Sequence, residues 1–141
     1  MKKQIALAVA LMAVAIAAGQ SYAQQISAKA DIPFAFQVGN KAMPAGQYWI
    51  QRVSDADESA QIIRRTDSSA AAVAMTFAAD ARSKPELVFH KYGNSYFLSE
   101  IWTGLGQGRQ LPKSEREKEL ARETRGSEVA VSLQSVSERG L

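Results

Sequence analysis

The chain has no cysteine, a single histidine (His90) and only four prolines among its 141 residues. Without cysteine there is no disulfide, no thiolate nucleophile and no thiol for a lipid anchor, so stability rests on packing and hydrogen bonding. One histidine without thiols also excludes the usual zinc sites, which combine several such ligands. Long hydrophobic runs are scarce. The one apolar stretch, residues 5–18, is built from Ala, Val, Leu, Ile and Met and falls short of the roughly 20 residues a membrane span needs.

That stretch has the form of a secretory signal. Lys2 and Lys3 precede it, Gly19 and Gln20 break it, and Ser21 and Ala23 place small residues at −3 and −1. The expectation is a cleaved signal over residues 1–23, cut between Ala23 and Gln24, and an exported product, periplasmic or extracellular, with no stable membrane insertion after cleavage. Cleavage also changes the charge. The seventeen Lys and Arg drop to fifteen once Lys2 and Lys3 leave, against fourteen acids. A nearly neutral module has little field with which to gather nucleic acid, and no nucleic-acid partner is expected.

What remains reads as one β-rich domain over residues 24–134, with a loose tail at 135–141. Strand-like runs separated by turn chemistry fill residues 26–102. Residues 28–36 form a first strand, with Ile32, Phe34 and Phe36 on one face and Pro33 marking an edge or an end. Turns follow at Gly39-Asn40 and Pro44-Ala45-Gly46. Residues 47–53 make a strand with Tyr48 and Ile50 inward and Trp49 outward. A polar loop over 54–59, a short strand over 61–64 and a turn over 66–69 come next. Residues 70–77 are ambiguous between strand and helix; Val73, Thr76 and Phe77 favour strand.

The clearest element is a hairpin joining residues 86–92 to 95–102 through Gly93-Asn94, whose order suits a type II′ turn. Its register predicts Leu87, Phe89, Tyr96, Leu98 and Trp102 on one face, and Val88, His90, Tyr92, Phe97 and Ile101 on the other. Gly104, Gly106 and Gly108 then mark a flexible connector. Ser114 followed by Glu117 is a capping box that predicts a helix over about 114–125, mostly solvated. Residues 128–133 alternate as a last strand. The fold class is therefore mainly β, a small antiparallel sandwich or partly open barrel with one helix in its C-terminal half.

Catalytic chemistry finds little footing. Serine, histidine and acid are all present, but no Gly-x-Ser-x-Gly elbow organises them. Asp55, Asp57 and Glu58 lack the spacing of a calcium loop and read as a solvated turn. Residues 104–108 depart from phosphate-loop spacing and lack the following Lys-Ser/Thr. Arg109, Lys113 and Arg116 near the helix start could hold an anion, opposed by Glu115 and Glu117. Exposed aromatics are the best binding feature. Trp49, Tyr92 and Tyr96, with His90 and Arg109, form the candidate ligand-binding set.

Four stretches, residues 32–39, 43–48, 88–98 with Trp102, and 108–114, follow the pattern Ile-Pro-Phe-x-Phe-x-Val-Gly, Leu-Pro-Ala-Gly-x-Tyr, Val-Phe-His-Arg-Tyr-Gly-x-x-Tyr-Phe-Leu and Gly-Arg-x-Leu-Pro-x-Ser. Met43 and Lys91 stand where that pattern has leucine and arginine. In this the chain resembles a family of small exported bacterial proteins with no known activity. The resemblance carries over no functional residue. The sequence points to a non-enzymatic envelope or extracellular module that binds a partner or stabilises an assembly, with no cofactor or metal. The alternative is a small binding protein for a carbohydrate or hydrophobic ligand that uses the exposed aromatics.

Overall fold

The structure, a computed structural model, describes residues 27–54, 57–80, 84–103 and 108–136. The expected signal and its cleavage point at Ala23 and Gln24 lie outside them, as do Asp55, Gly104 and Gly106. The described residues form a two-sheet sandwich with one helix, as the turn spacing predicts. Among the described residues twelve strands run in the order β1 (Ser27–Ile32), β2 (Phe36–Val38), β3 (Lys41–Met43), β4 (Gly46–Ser54), β5 (Asp57–Arg65), β6 (Ala71–Met75), β7 (Phe77–Ala79), β8 (Glu86–Tyr92), β9 (Ser95–Trp102), β10 (Gly108–Gln110), β11 (Ser127–Ser132) and β12 (Gln134–Val136). The helix, α1 (Glu115–Glu123), lies between β10 and β11.

One sheet has the order β12-β1-β4-β5-β6. The other runs β11-β8-β9-β10-β7, with β2 lying parallel to β9 and carrying β3. Two hairpins turn on the same dipeptide. Gly39 and Gly93 take φ of +59° and +60° ahead of Asn40 and Asn94, the left-handed first position that a type II′ turn demands. Between the sheets, Ile32, Phe36, Tyr48, Ile50, Ile63, Leu87, Phe89, Leu98 and Ile101 form the buried core. Phe34 and Phe36 meet the Phe89 ring edge-on, with centroids 5.0 and 5.4 Å away.

Several boundaries depart from expectation, each for a physical reason. The first strand does not run to Phe36. It ends at Ile32, because Pro33 offers no N–H, and the chain crosses to the other sheet as β2. The short strand at 61–64 is a nine-residue β5. Its polar start pairs back across the hairpin, Asp57 with Ser54. Residues 70–77 are strand, but split at Thr76, where the chain leaves the first sheet as β6 and enters the second as β7. Gly108 begins β10 rather than continuing a connector, and a Cβ there would collide with the Trp102 ring. Ser135 and Val136, placed in the tail, pair with Ala28 and Ser27. The helix ends two residues early, at Glu123.

The central hairpin holds its expected register from Tyr92–Ser95 to Phe89–Leu98, and then slips. Val88 pairs with Glu100, leaving Ser99 as an extra residue on β9. This β-bulge reverses the parity beyond it. Leu98 and Ile101, which strict alternation would send to opposite faces, both enter the core, and Trp102 leaves the core face. The expected positions of Ile101 and Trp102 are thereby exchanged.

Candidate functional site

The bulge aims Ser99 at His90 on the face of the second sheet that α1 covers. The helix begins as the capping box predicts, with Ser114 Oγ accepting from the Glu117 N–H at 3.2 Å. The other half of the box is not made. The Glu117 carboxylate turns into the protein, where it is only 3% exposed. It accepts from the Tyr92 hydroxyl at 2.9 Å and lies 2.9 Å from His90 Nδ1. An ionised carboxylate has no proton to give, so Nδ1 carries the hydrogen. In the neutral ring Nε2 is then left to accept from the Ser99 hydroxyl, 3.2 Å away. The first turn of α1 adds its own positive N-terminal field to the buried charge.

Serine, histidine and acid thus stand in the connectivity of a charge relay. The sequence carries that combination only as composition, because the three residues come from two strands and a helix, with His90 and Glu117 27 positions apart. The surroundings do not favour nucleophilic chemistry. Ser99 is 4% exposed. The adjoining cleft, about 410 Å³, is walled by His90, Tyr92, Lys113, Ala121, Gly126, Ser127 and Glu128, so Ser99 forms no part of its wall. What the network does is fasten the helix. Glu117 is the helix's buried residue, and a polar anchor replaces the apolar stripe on which most surface helices depend.

Tyr92 reports on this anchor. Burial, then the hydrogen bond to Glu117 and that group's charge, push its phenol up to about 12 from an ordinary 10. A folded-state pKa above the unfolded one favours the protonated form on folding. The stabilisation is therefore complete below about pH 10 and is lost as pH rises towards 12. Absorbance titration at alkaline pH should show a late-ionising tyrosine that Tyr92→Phe removes, and alkaline unfolding of that variant should be shallower. Ionisation of Tyr92 at its ordinary pKa would show that the buried hydrogen bond does not form.

The five residues expected to bind ligand do not converge. His90 and Tyr92 share the anchor and the cleft. Trp49 lies on the outer face of the first sheet, between Lys29 and Arg64 on the neighbouring strands, with the Lys29 ammonium 5.5 Å from its ring. Tyr96 stacks on Phe34 with centroids 3.9 Å apart, and Lys91 Nζ lies 5.4 Å from the same ring. Arg109 donates to the Thr76 hydroxyl and carbonyl, both at 3.0 Å, which fixes the switch between sheets and takes it away from Lys113 and Arg116. Asp57 accepts from the Ser59 N–H, a bond that holds its carboxyl below the usual range, and Glu58 pairs with Arg52 at 3.3 Å. Among the described residues no cluster of three potential metal ligands occurs.

What sequence reading missed is apolar. Val73 and Met75 on β6 are each 62% exposed, Phe77 on β7 is 49% and Val53 is 48%. The signal was present as a spacing of two, Val73, Met75, Phe77, but alternation alone does not say which side is covered. Comparison with family models, with curated proteins and with solved structures finds no match to this chain.

Proposed function

We infer that this is an exported, non-enzymatic interaction module that engages another macromolecule through the outer face of its first sheet. One observation carries the reading, a contiguous apolar patch at the sheet's edge. Ile62 lies directly opposite Val73, and Ala60 opposite Met75, so apolar side chains run across two adjacent strands without an intervening charge. Scattered surface apolar residues are ordinary, whereas contiguous ones mark contact surfaces. The aromatic faces suited to a carbohydrate are already occupied by Lys29, Phe34 and Lys91, which favours a protein partner over the small-ligand alternative.

The test is photo-crosslinking in cells that make the protein, with the crosslinker at position 73 and a control at Glu119 on the exposed side of α1. A discrete adduct from position 73 alone, on a chain whose intact mass begins at Gln24, is the expected result. No adduct from either position overturns the reading. If glycans then shift the Gly126 and Ser127 amides, the cleft and the small-ligand alternative take its place.

A further inference from the structure

The patch borders an open sheet edge, and the hydrogen bonds around it show which backbone groups that edge offers. At the two ends of β6 the Ala70 carbonyl accepts from Arg65 and the Thr76 N–H donates to Ser59, so the even-numbered residues bond to β5. Backbone polar groups alternate along a strand, and the register between β5 and β6 has no slip. Ala71, Val73 and Met75 therefore turn their N–H and C=O groups away from the sheet, and β6 is its last strand. Lys41 Nζ donates to the Ala71 carbonyl, as this parity requires.

Exposed edges are commonly guarded by lysine on the strand, proline, bulges or very short length. The sequence of β6, Ala-Ala-Val-Ala-Met, has no charge and no proline, and its outward side chains are the apolar ones. A cation stands at one end of the edge instead, where Lys41 lies at Ala71. Arg109 is on the other side of the strand, bonded to the Thr76 hydroxyl where that group also meets Ser59 and Glu58 of β5. The acids nearby are engaged. Glu58 pairs with Arg52, and Asp57 caps Ser59 while also feeling the charge of Arg109.

The geometry points to strand addition at β6, the occupant being an extended segment of another protein with alternating apolar residues and an acidic end that meets Lys41. This rests on the interaction reading above and specifies the partner's chemistry. The free groups of Val73 and Met75 supply the ladder, Val73 and Met75 the apolar contacts, and Lys41 the attraction for a flanking carboxylate. Charge complementarity favours another protein over a second copy of this chain. Antiparallel pairing about Val73 sets Ala71 against Met75 of the other copy, and β6 itself brings no acid to Lys41.

The experiment uses the purified protein and two synthetic decapeptides of alternating valine and threonine, one ending in paired aspartates, the other in paired lysines. Amide exchange and chemical shifts are followed residue by residue. The aspartate peptide should slow exchange at Val73 and Met75 roughly tenfold and leave the amides of Ala72 and Ala74, already bonded to β5, unchanged. The lysine peptide should bind about tenfold more weakly, and Lys41→Glu should reverse the preference. Val73→Lys, which puts the missing guard on the edge, should abolish the effect while the fold persists. Protection at Val73 and Met75 without peptide, growing with protein concentration, would overturn the proposal in favour of self-association. Peptide binding that moves the Ile62 and Val73 methyls but not the edge amides would overturn strand addition and leave the apolar-face reading standing. No response to either peptide, with crosslinking from position 73 intact, would do the same; loss of both would remove the two together.

Discussion

Glu117→Ala should lower the stability of the fold by about 3 kcal/mol, a large loss for a residue on an otherwise solvated helix. The substitution removes little apolar area and leaves α1 a better helix former at that position. The loss comes from what remains behind. The Tyr92 hydroxyl and His90 Nδ1–H both lose their acceptor, and the Ser99 hydroxyl loses the tautomer that defines its own bond. Urea unfolding measures the loss, and amide exchange in α1 locates it. Exchange should accelerate over Glu115–Glu123 before it does in the core strands. Glu117→Gln separates charge from shape. Tyr92 and His90 Nδ1 both meet the same carboxylate oxygen, so the glutamine carbonyl placed there can accept from both while the charge is lost. A smaller loss than for alanine is expected, with the His90 tautomer unchanged in its nitrogen shifts. A Glu117→Ala protein within about 0.5 kcal/mol of the parent would mean that the helix is held by something other than this anchor.

Phe89→Ala should cost more, about 3–5 kcal/mol. Its side chain is fully buried where the two sheets meet, and it receives the edges of Phe34 and Phe36. The Phe34 ring in turn stacks on Tyr96, so a cavity at position 89 loosens three neighbours at once. Phe89→Leu keeps most of the volume and should cost less than half as much, about 1.5 kcal/mol. The loss should appear as a lower urea midpoint with an unchanged slope. The contrast with β6 is instructive. Val73→Ala, at a site 62% exposed, should move stability by no more than about 0.5 kcal/mol. Equal losses at positions 73 and 89 would contradict the burial pattern on which both the fold and the interaction reading depend.

The candidate site was only half legible beforehand. Ser114 and Glu117 were readable as a helix start, since a capping box involves four consecutive residues. The destination of the Glu117 carboxylate was not, because Tyr92 lies 25 residues away and His90 lies 27. Arg109 shows the same limit. As a cation in a Gly-Arg-Gln stretch it reads as an anion ligand, whereas Thr76, 33 residues earlier, accepts two of its hydrogen bonds. The aromatic set does not come together for a related reason. Period-two alternation assigns Trp49 and Tyr96 to sides of their strands, but not whether Lys29, Phe34 or Lys91 already lies against the ring.

The residues taken alone determined the class of fold and most of its turns. Gly39-Asn40, Gly93-Asn94, Pro33 and Ser114 act through their own torsions and nearest neighbours, so their consequences do not wait for the rest of the chain. The tertiary structure alone decided three things. The slip at Ser99 sends Ile101 inward and Trp102 outward; the break at Thr76 carries the chain between sheets; and the position of β6 at the end of its sheet leaves Val73 and Met75 uncovered. Each is settled by which strand lies beside which, a competition among contacts far apart in sequence that no local pattern records.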